Sequence, residues 1–329
     1  MEKLFKDTEK LAGWDGLNQA AELLQQGELV AVPTETVYGL AADARQPEAV
    51  AKIFHAKGRP ADHPLIVHIA DVAELSEWTT TVPAYAHTLA AAFWPGPLTF
   101  ILPKAPHVSD IVTGGHPSVG VRCPSHPLML ALLKQLGTGL AAPSANPYKK
   151  ISPTTAEQVL YGLNGKISAV LDGGACEVGL ESTIVDLTTD TPRILRAGPI
   201  TRQQLEAVLG CTVEQPKQHS EAVSGNVKAH YQPNTPLLVL PQAELLAKLH
   251  TANEKTAVMY YSEQVALQVQ GQTLLTLKLA ADKARYAQSL YYALHQLDQS
   301  EANEIWLEQP PSDDAWSDVQ DRLARAAYR

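Results

Sequence analysis

The segment ELVAVPTETVYG, residues 28–39, shows the pattern that governs the first two-thirds of the chain. Its apolar run from Glu28 to Pro33 is short, which predicts a buried strand that ends in a polar loop. After that loop, the apolar spacing predicts a helix from Glu48 to Lys57. Strand and helix patterns then keep alternating, as is typical of an α/β fold. Further strands are predicted at residues 65–69, 98–102, 119–122, 140–142, 169–171, 182–187 and 193–196. Helical patterns are predicted at 126–136, 155–161 and 202–209, and Ser152 and Pro153 are placed as an N-cap and N1 proline ahead of the second of them.

The stretch from Val213 to Pro236 has no clear periodicity and carries three prolines, which predicts a linker. Beyond it, strands are predicted at residues 237–240, 256–261 and 304–307, and helices at 282–297 and 316–328. The predicted organisation is therefore a first domain at 1–212, a linker at 213–236 and a small α/β domain at 237–329.

Composition excludes several classes of protein. Of 329 residues, 45% are hydrophobic and 19% charged, which is enough apolar material for packed cores and too little charge for disorder. No apolar run is long enough to span a membrane, and the first thirteen residues carry charges where a signal peptide would be apolar, so we expect a cytoplasmic protein. A net charge of −9 disfavours nucleic acid as the main partner.

Familiar cofactor and metal motifs are absent or misplaced. The run Gly137 to Ala142 matches G-x-G-x-x-A, but it follows a predicted helix and not a strand, and no P-loop occurs. The three cysteines are far apart and form no C-x-x-C pair, so neither a disulfide framework nor a cysteine zinc site is expected. Nor does a G-x-S-x-G nucleophile motif appear. If a triphosphate binds, other residues must hold it.

Two polar clusters in the first third could bind an anion. Thr34, directly after the first strand, is a plausible helix N-cap, so the Thr36 hydroxyl and nearby backbone N–H groups would face an anion at a helix start. Lys52, Lys57 and Arg59 place three cations before a turn suited to triphosphate charge. The alternatives are a simple helix cap and a solvated helix face.

Two further clusters lie in the second third. Residues 142–147 run from a strand into a loop flanked by two prolines, which fixes one hydroxyl, Ser144, and one amide, Asn146. Ser182 opens a strand and Arg196 closes the next one, so both side chains could point to one edge of the sheet. Turn-forming residues alone could also explain the first of these two loops.

Together these clusters resemble one family, the YrdC domain of threonylcarbamoyl-adenylate synthases. The matching stretches are, in the family order, VPTETVYGLAADA, KGRPADHPLIVHI, WPGPLTFILP, VGVRCPSHP, APSANP, SPTTAEQV, LDGG, GLESTIVDL and ILRAG, from about residue 20 to 210. The segment SGNVKAHYQP and the α/β region after it resemble the longer, two-domain version. The resemblance implies a YrdC-like twisted open sheet with helices, followed by a smaller Rossmann-like α/β domain.

The resemblance also implies a reaction. In this family, L-threonine, bicarbonate and ATP give threonylcarbamoyl-adenylate, pyrophosphate and water, for the threonylcarbamoyl modification of adenosine 37 in tRNAs that read ANN codons. Mg²⁺ would accompany ATP without a dedicated protein site. A downstream tRNA threonylcarbamoyl transferase would receive the product, and stable binding to nucleic acid or membrane is not expected.

Site residues carried over from the family fall into two overlapping sets. Arg122 is the natural partner for the threonine carboxylate. Lys57, Arg59, Ser144 and Asn146 are the predicted catalytic residues. Threonine is assigned to Thr36, His68, Arg122, Ala142 and Ser182, and ATP to Lys57, Arg59, His63, Ser118, Ser144, Asn146, Ser152, Arg196 and Tyr231.

This chain departs from the family pattern at two places. His63 stands where family members commonly carry Asn, and Tyr148-Lys149 stands where they carry a small Ser-Gly pair. The first change is expected to alter a phosphate or adenine contact, and the second to enlarge or stiffen the loop beside Ser152.

Two other classes of protein remain as alternatives. An RNA-binding module is disfavoured by the acidic net charge. A carbamoyl-adenylate enzyme of hydrogenase maturation would add zinc-finger cysteines and an acylphosphatase region, which this sequence lacks.

The linker itself is predicted to act as a lid over the ATP site, held by the second domain. Lys228, His230 and Tyr231 could meet phosphate or stack on a base, whereas a flexible tether would be rich in Gly and Ser. The alternative is a passive spacer.

Overall fold

The computed structural model describes residues 7–216, 223, 225 and 227–328. The chain divides into two compact units. The N-terminal unit comprises Met1–Tyr148, Pro153–Glu177 and Glu181–Asn226, and the C-terminal unit comprises Lys149–Ser152, Val178–Leu180 and Val227–Arg329. Two short pieces from the middle of the first predicted domain thus belong to the C-terminal unit. A third of the predicted linker, at residues 217–222, 224 and 226, lies outside the described residues.

Within its described part, the N-terminal unit forms one ten-stranded mixed sheet. The strands are Glu9–Ala12 (β1), Val30–Val32 (β2), Gly39–Asp43 (β3), Ile66–His68 (β4), Leu98–Pro103 (β5), Ser118–Arg122 (β6), Leu140–Ala141 (β7), Ala169–Asp172 (β8), Thr183–Asp186 (β9) and Arg193–Arg196 (β10). Their order is β1-β8-β2-β3-β7-β4-β6-β5-β9-β10. Parallel pairs such as β4 with β6 alternate with antiparallel pairs such as β5 with β6. The predicted α/β class is confirmed.

Helices cover both faces of one half of this sheet. They are Leu17–Gln25 (α1), Pro47–Lys57 (α2), Leu75–Trp78 (α3), Ala84–Phe93 (α4), Asp110–Thr113 (α5), Pro127–Leu136 (α6), Ala156–Leu163 (α7) and Arg202–Leu209 (α8). In β2, Ala31 joins the larger core cluster, whereas Val30 and Val32 join a second cluster on the other face. This alternation follows from the two-residue period of a strand, and it buries β2 on both sides.

Two local predictions are wrong. Thr34 does not begin a helix, although its Oγ1 accepts hydrogen bonds from the N–H groups of Thr36 and Val37 at 3.1 and 3.2 Å, as an N-cap would. The chain instead enters β3 at Gly39, because pairing with β2 takes its backbone. Helix α7 is capped by Thr155 and not by Ser152, since the Thr155 hydroxyl accepts from the N–H of Gln158.

The C-terminal unit holds a fully parallel sheet. Its described strands are Leu237–Leu240 (β11), Thr256–Tyr260 (β12), Leu275–Lys278 (β13) and Glu304–Glu308 (β14), in the order β11-β14-β12-β13. Its helices are Gln242–Lys248 (α9), Glu263–Val269 (α10), Lys283–Asp298 (α11) and Ser317–Ala326 (α12). Parallel pairing with helical crossovers makes this unit Rossmann-like. None of the described helices in either unit is long and apolar enough to cross a membrane.

The two short segments are integrated into the C-terminal unit by backbone contacts. The N–H of Gln232 donates to the carbonyl of Lys149 at 2.9 Å, and Lys150 forms a parallel bridge with Gln232. Gly179, at φ +81°, packs directly on α11, and a Cβ there would lie 2.5 Å from the carbonyl oxygen of Gln288. Only glycine fits this backbone conformation at this close approach.

Candidate functional site

One face of the central strands carries buried polar residues beside a small apolar strip. The larger core cluster takes Val67 from β4, Val121 from β6 and Phe100 from β5. Because side chains alternate along a strand, the neighbouring residues point to the opposite face. His68 pairs with Arg122 in the β4–β6 register, and continuing the β5–β6 register places Thr99 beside Arg122. This face is called the site face below, and its members on these strands are Ile66, His68, Thr99, Ile101, Ser118, Gly120 and Arg122.

Arg122 is buried at the centre of the site face, with 4% of its surface exposed. Its Nη1 donates to the Thr36 hydroxyl at 2.9 Å, and its Nε donates to the carbonyl of Gly96 at 3.2 Å. Its Nη2 donates to Oε1 of Glu35 in a buried ion pair. The structure therefore joins Thr36 and Arg122, as the resemblance implied. It also adds Glu35, which the sequence reasoning missed.

His68 is a neutral imidazole in this setting. Burial, and then the nearby charge of Arg122, lower its pKa to about 3. Its Nδ1 has no hydrogen-bond partner among the described residues. A neutral histidine can accept or donate a hydrogen bond without adding charge. His68 is therefore suited to orient a polar ligand beside Arg122.

Ser182 and Arg196 meet, as the strand pattern predicts. The Arg196 Nε and Nη2 donate to the carbonyl oxygen of Ser182 at 3.1 and 2.9 Å, and Nη2 also lies 3.1 Å from the Ser182 hydroxyl. That hydroxyl lies 2.8 Å from the Thr99 hydroxyl. Polar contacts thus link Thr99, the register neighbour of Arg122, to a second buried guanidinium.

A cation cluster lies at the C-terminal end of α2. Lys57 is buried, and its Nζ donates to the backbone carbonyls of Ser144 and Asn146. Burial, and then the charge of Arg59, lower the pKa of Lys57 well below its usual value. Arg59 is also buried, and its Nη2 donates to the carbonyl of Pro64 at 3.0 Å. Both cations are held by carbonyl oxygens, which are weaker partners than phosphate.

Lys52 does not belong to this cluster, contrary to the sequence interpretation. Its Nζ donates to the carbonyl of Gly27 at 2.7 Å and to Glu28 at 2.8 Å on an exposed surface. Five residues turn a helix by about 140°, so Lys52 and Lys57 leave α2 on different sides. Only the second of them reaches the loop at 144–146.

The loop at 142–146 connects the cation cluster with the segment that carries Thr36. The N–H of Leu40 donates to the carbonyl of Pro143, and the N–H of Ala145 donates to that of Tyr38 at 2.8 Å. At Gly39, an added Cβ would lie 3.1 Å from the Cβ of Ala142. The loop at 142–146 and the segment that carries Thr36, about a hundred residues apart in the sequence, therefore lie against each other.

The two departures from the family pattern are in contact. The rings of His63 and Tyr148 pack edge to face, with centroids 5.6 Å apart. The N–H of Tyr148 donates to the carbonyl of Lys57 at 2.8 Å, so this aromatic pair borders the cation cluster. Lys149, at the position of the family glycine, has φ +66°. The left-handed backbone that a glycine would adopt is thus kept with a lysine.

Ser118 and the linker residue Val223 lie at the other end of the site face. Ser118 starts β6, and it lines a small cavity with His116 and Val223. Val223 packs on an apolar strip of this face formed by Ile66, Ile184 and Leu195. A described linker residue therefore rests on the N-terminal unit.

Two residues assigned to ATP belong to the C-terminal unit. Ser152 is fully buried there, and Tyr231 is 1% exposed. The Tyr231 ring packs near-parallel to that of Tyr291, with centroids 5.8 Å apart, and the Arg322 guanidinium lies 5.3 Å from its centroid. Tyr231 also has φ +60°, which is rare for a bulky side chain. In this structure its ring is part of the core of that unit.

The site offers charge and hydrogen bonds, with neither thiolate nor metal cage. Burial raises the pKa of Cys123 to about 12 and raises that of Cys176 further, so neither thiol is a ready nucleophile. Among the described residues, no group of three or more His, Cys, Asp or Glu side chains could hold a metal ion. These residues fit Mg²⁺ only if phosphate and water supply its ligands.

Four buried cations, Lys57, Arg59, Arg122 and Arg196, together with a neutral histidine at the strand ends of an α/β sheet, define a site for a small anionic ligand. Residues 22–198 match the Sua5/YciO/YrdC family model, whose description is "Telomere recombination". Residues 200–328 match the family described as "Threonylcarbamoyl-AMP synthase, C-terminal domain". The chain belongs to the threonylcarbamoyl-AMP synthase family.

Individual relatives agree with this assignment over nearly the full chain. A threonylcarbamoyl-AMP synthase of Bacillus subtilis is 40% identical, over 94% of this chain and 92% of its own length. That of Pyrococcus abyssi is 36% identical, over 98% and 96%. The crystal structure of P. abyssi Sua5 complexed with L-threonine superposes with a TM-score of 0.87 at 34% identity, and covers 97% of each chain. The predicted two-domain YrdC-type family is confirmed.

Proposed function

We propose that this chain joins L-threonine, bicarbonate and ATP into threonylcarbamoyl-adenylate, with release of pyrophosphate and water. The product serves the threonylcarbamoyl modification of adenosine 37 in tRNAs that read ANN codons. The observation that carries the proposal is the pairing of two buried cationic sites, the Arg122 guanidinium on the site face and the Lys57–Arg59 pair at the end of α2. Relatives that span nearly the whole chain carry the name of this activity.

Threonine binds around Arg122 in this proposal. The guanidinium meets the substrate carboxylate, since a planar fork of donors matches two carboxylate oxygens. Thr36 and neutral His68 lie beside it and can bind the polar remainder of the amino acid. Ser182, held by Arg196, and the Ala142 backbone complete the set.

ATP binds across the cation cluster. Lys57 and Arg59 exchange carbonyl partners for phosphate oxygens, while Ser144 and Asn146 hold the loop at which the two substrates meet. The carbamate oxygen then attacks the α-phosphorus and pyrophosphate leaves. Such transfer depends on positioning and on stabilising the developing charge, which these cations supply without a protein nucleophile. Magnesium carried by the ATP phosphates would neutralise further charge.

The cellular context is part of the same proposal. The chain works in the cytoplasm and passes its labile product to a tRNA threonylcarbamoyl transferase. The net charge of −9 does not support direct binding of RNA.

One assay tests the reaction. Pyrophosphate release from ATP is measured with threonine and bicarbonate both present, and with each omitted in turn. Release should require both. Release that continues without threonine contradicts the proposed function.

A further inference from the structure

Only one of the two carboxylate oxygens of Glu35 has a hydrogen-bond partner among the described residues. One oxygen, Oε1, accepts from Nη2 of Arg122, and the whole side chain is buried. The other oxygen, Oε2, has no hydrogen-bond partner among the described residues. A buried anionic oxygen without a donor is unfavourable, and such groups are retained where a ligand supplies the missing donor.

The position of Glu35 restricts what that donor is. Arg122 binds the carboxylate of threonine in the proposed function, and the ammonium of an α-amino acid is attached to the same carbon as its carboxylate. A group that binds the ammonium must therefore adjoin the group that binds the carboxylate. Glu35 satisfies this condition, because it is hydrogen-bonded to Arg122 and is next in sequence to Thr36.

Charge balance favours the same ligand. A threonine zwitterion beside the Glu35–Arg122 pair gives two positive and two negative groups in one buried cluster. Lys57, Arg59 and Arg196 are cations and would repel an ammonium. A negative oxygen beside Arg122 lets the site distinguish an amino acid from a plain carboxylic acid.

We propose that Glu35 binds the ammonium group of threonine through Oε2 and accepts one of its protons during carboxylation. This step rests on the proposed function. Loss of one ammonium proton frees the nitrogen lone pair, which forms the N–C bond to bicarbonate while the C–O bond to the leaving hydroxide breaks. One nitrogen proton goes to Glu35, and the second leaves with the hydroxide as water. The carbamate keeps the third, and Glu35 returns its proton to solvent.

The test compares the two directions of catalysis. Forward synthesis starts from the ammonium and needs Glu35. The reverse reaction starts from purified threonylcarbamoyl-adenylate and pyrophosphate, forms ATP, and involves no ammonium. In Glu35→Gln, forward kcat/KM for threonine should fall at least about 100-fold, the usual contribution of a proton acceptor. ATP formation in reverse should fall by less than about threefold.

Controls separate this role from a structural one. Glu177 is an exposed carboxylate that, like Glu35, lies near Cys176. Glu177→Gln should change neither forward synthesis nor the reverse reaction. Arg122→Leu should weaken both directions, because the substrate carboxylate is present in both. Thermal midpoints of all variants are measured alongside.

Glu35→Asp provides a second route if Glu35→Gln does not fold. This substitution keeps the charge but shortens the side chain, which moves the carboxylate oxygen away from the substrate ammonium. Forward synthesis should therefore fall at least about tenfold more than the reverse reaction. Equal losses in both directions, in whichever variant folds, overturn the inference alone. So does full forward activity in both Glu35→Gln and Glu35→Asp. A wild-type protein that makes no adenylate overturns the proposed function together with the inference.

Discussion

The ammonium group of Lys57 donates to the carbonyl oxygen of Ser144, eighty-seven residues away in the sequence. This contact fixes the end of α2 against the loop at 142–146, and it buries a cation where the proposed function places triphosphate. Lys57→Met and Arg59→Ala should each lower turnover by more than about 100-fold, because developing phosphate charge loses its partner.

Lys52→Ala is the matched control for these two variants, since Lys52 lies on the same helix but bonds with Glu28 on the exposed surface. It should keep full turnover. Steady-state rates and thermal midpoints are measured for all three variants. Full turnover in both Lys57→Met and Arg59→Ala would remove the cation cluster from the mechanism.

At a pH above the lowered pKa of Lys57, ATP binding should bring a proton to this amine. Burial and Arg59 lower the pKa of Lys57 well below its usual value in the free protein, and a bound triphosphate raises it again. ATP affinity should therefore weaken as pH rises, more steeply in wild type than in Lys57→Met. Calorimetry in two buffers of different ionisation enthalpy measures the protons taken up. Identical uptake in wild type and Lys57→Met would contradict this prediction.

Arg122→Leu should raise KM for threonine much more than KM for ATP. The lost interaction is a charge-assisted contact to the amino-acid carboxylate, whereas the triphosphate is assigned to other cations. Initial rates with each substrate varied in turn give both constants. An equal rise in the two would mean that Arg122 supports the fold of the site and not one substrate.

The pH dependence of stability should reflect His68. Its pKa is about 3 in the folded protein and near 6.5 when unfolded, so the unfolded state binds more protons between these values. The free energy of unfolding therefore falls by about 1.4 kcal/mol per unit as pH drops below 6.5. Between pH 7 and 5, wild type should lose about 2 kcal/mol more than His68→Gln.

Denaturant unfolding at the two pH values measures this difference. His55→Gln, which changes an exposed histidine of α2, should keep the wild-type slope. A His68→Gln protein with the full wild-type slope would show that His68 is not the group that titrates.

Strand alternation was enough to predict part of the site from the sequence. Ser182 and Arg196 were expected at one sheet edge because each ends or opens a strand, and their side chains are in contact. The helix from Pro47 to Lys57 was also predicted almost to the residue, because its apolar spacing is regular and Gly58 ends it. Local pattern and burial act together in these elements.

Other features depend on contacts that no local pattern reveals. Thr34 has the hydrogen bonds of a helix cap, yet pairing of Gly39 with β2 makes a strand follow it. Glu35 resembles any polar loop residue until Arg122, from a distant strand, is placed beside it. Six of the described helices (α1, α3, α4, α5, α9 and α10) and three of the described strands (β1, β3 and β13) were missed for a similar reason, since tertiary packing decides short elements more than propensity does. The domain limits, the individual substrate contacts and the lid stay predictions.

The interleaved chain path of the C-terminal unit limits how the two halves of this protein can be exchanged. Lys149 and Gly179 come from the middle of the catalytic half of the sequence, yet they pack with Gln232 and α11. A chimera that joins this catalytic half to the second half of a distant relative would place foreign surfaces against residues 149–152 and 178–180. Such a chimera should be unstable unless these seven residues are swapped together with the second half.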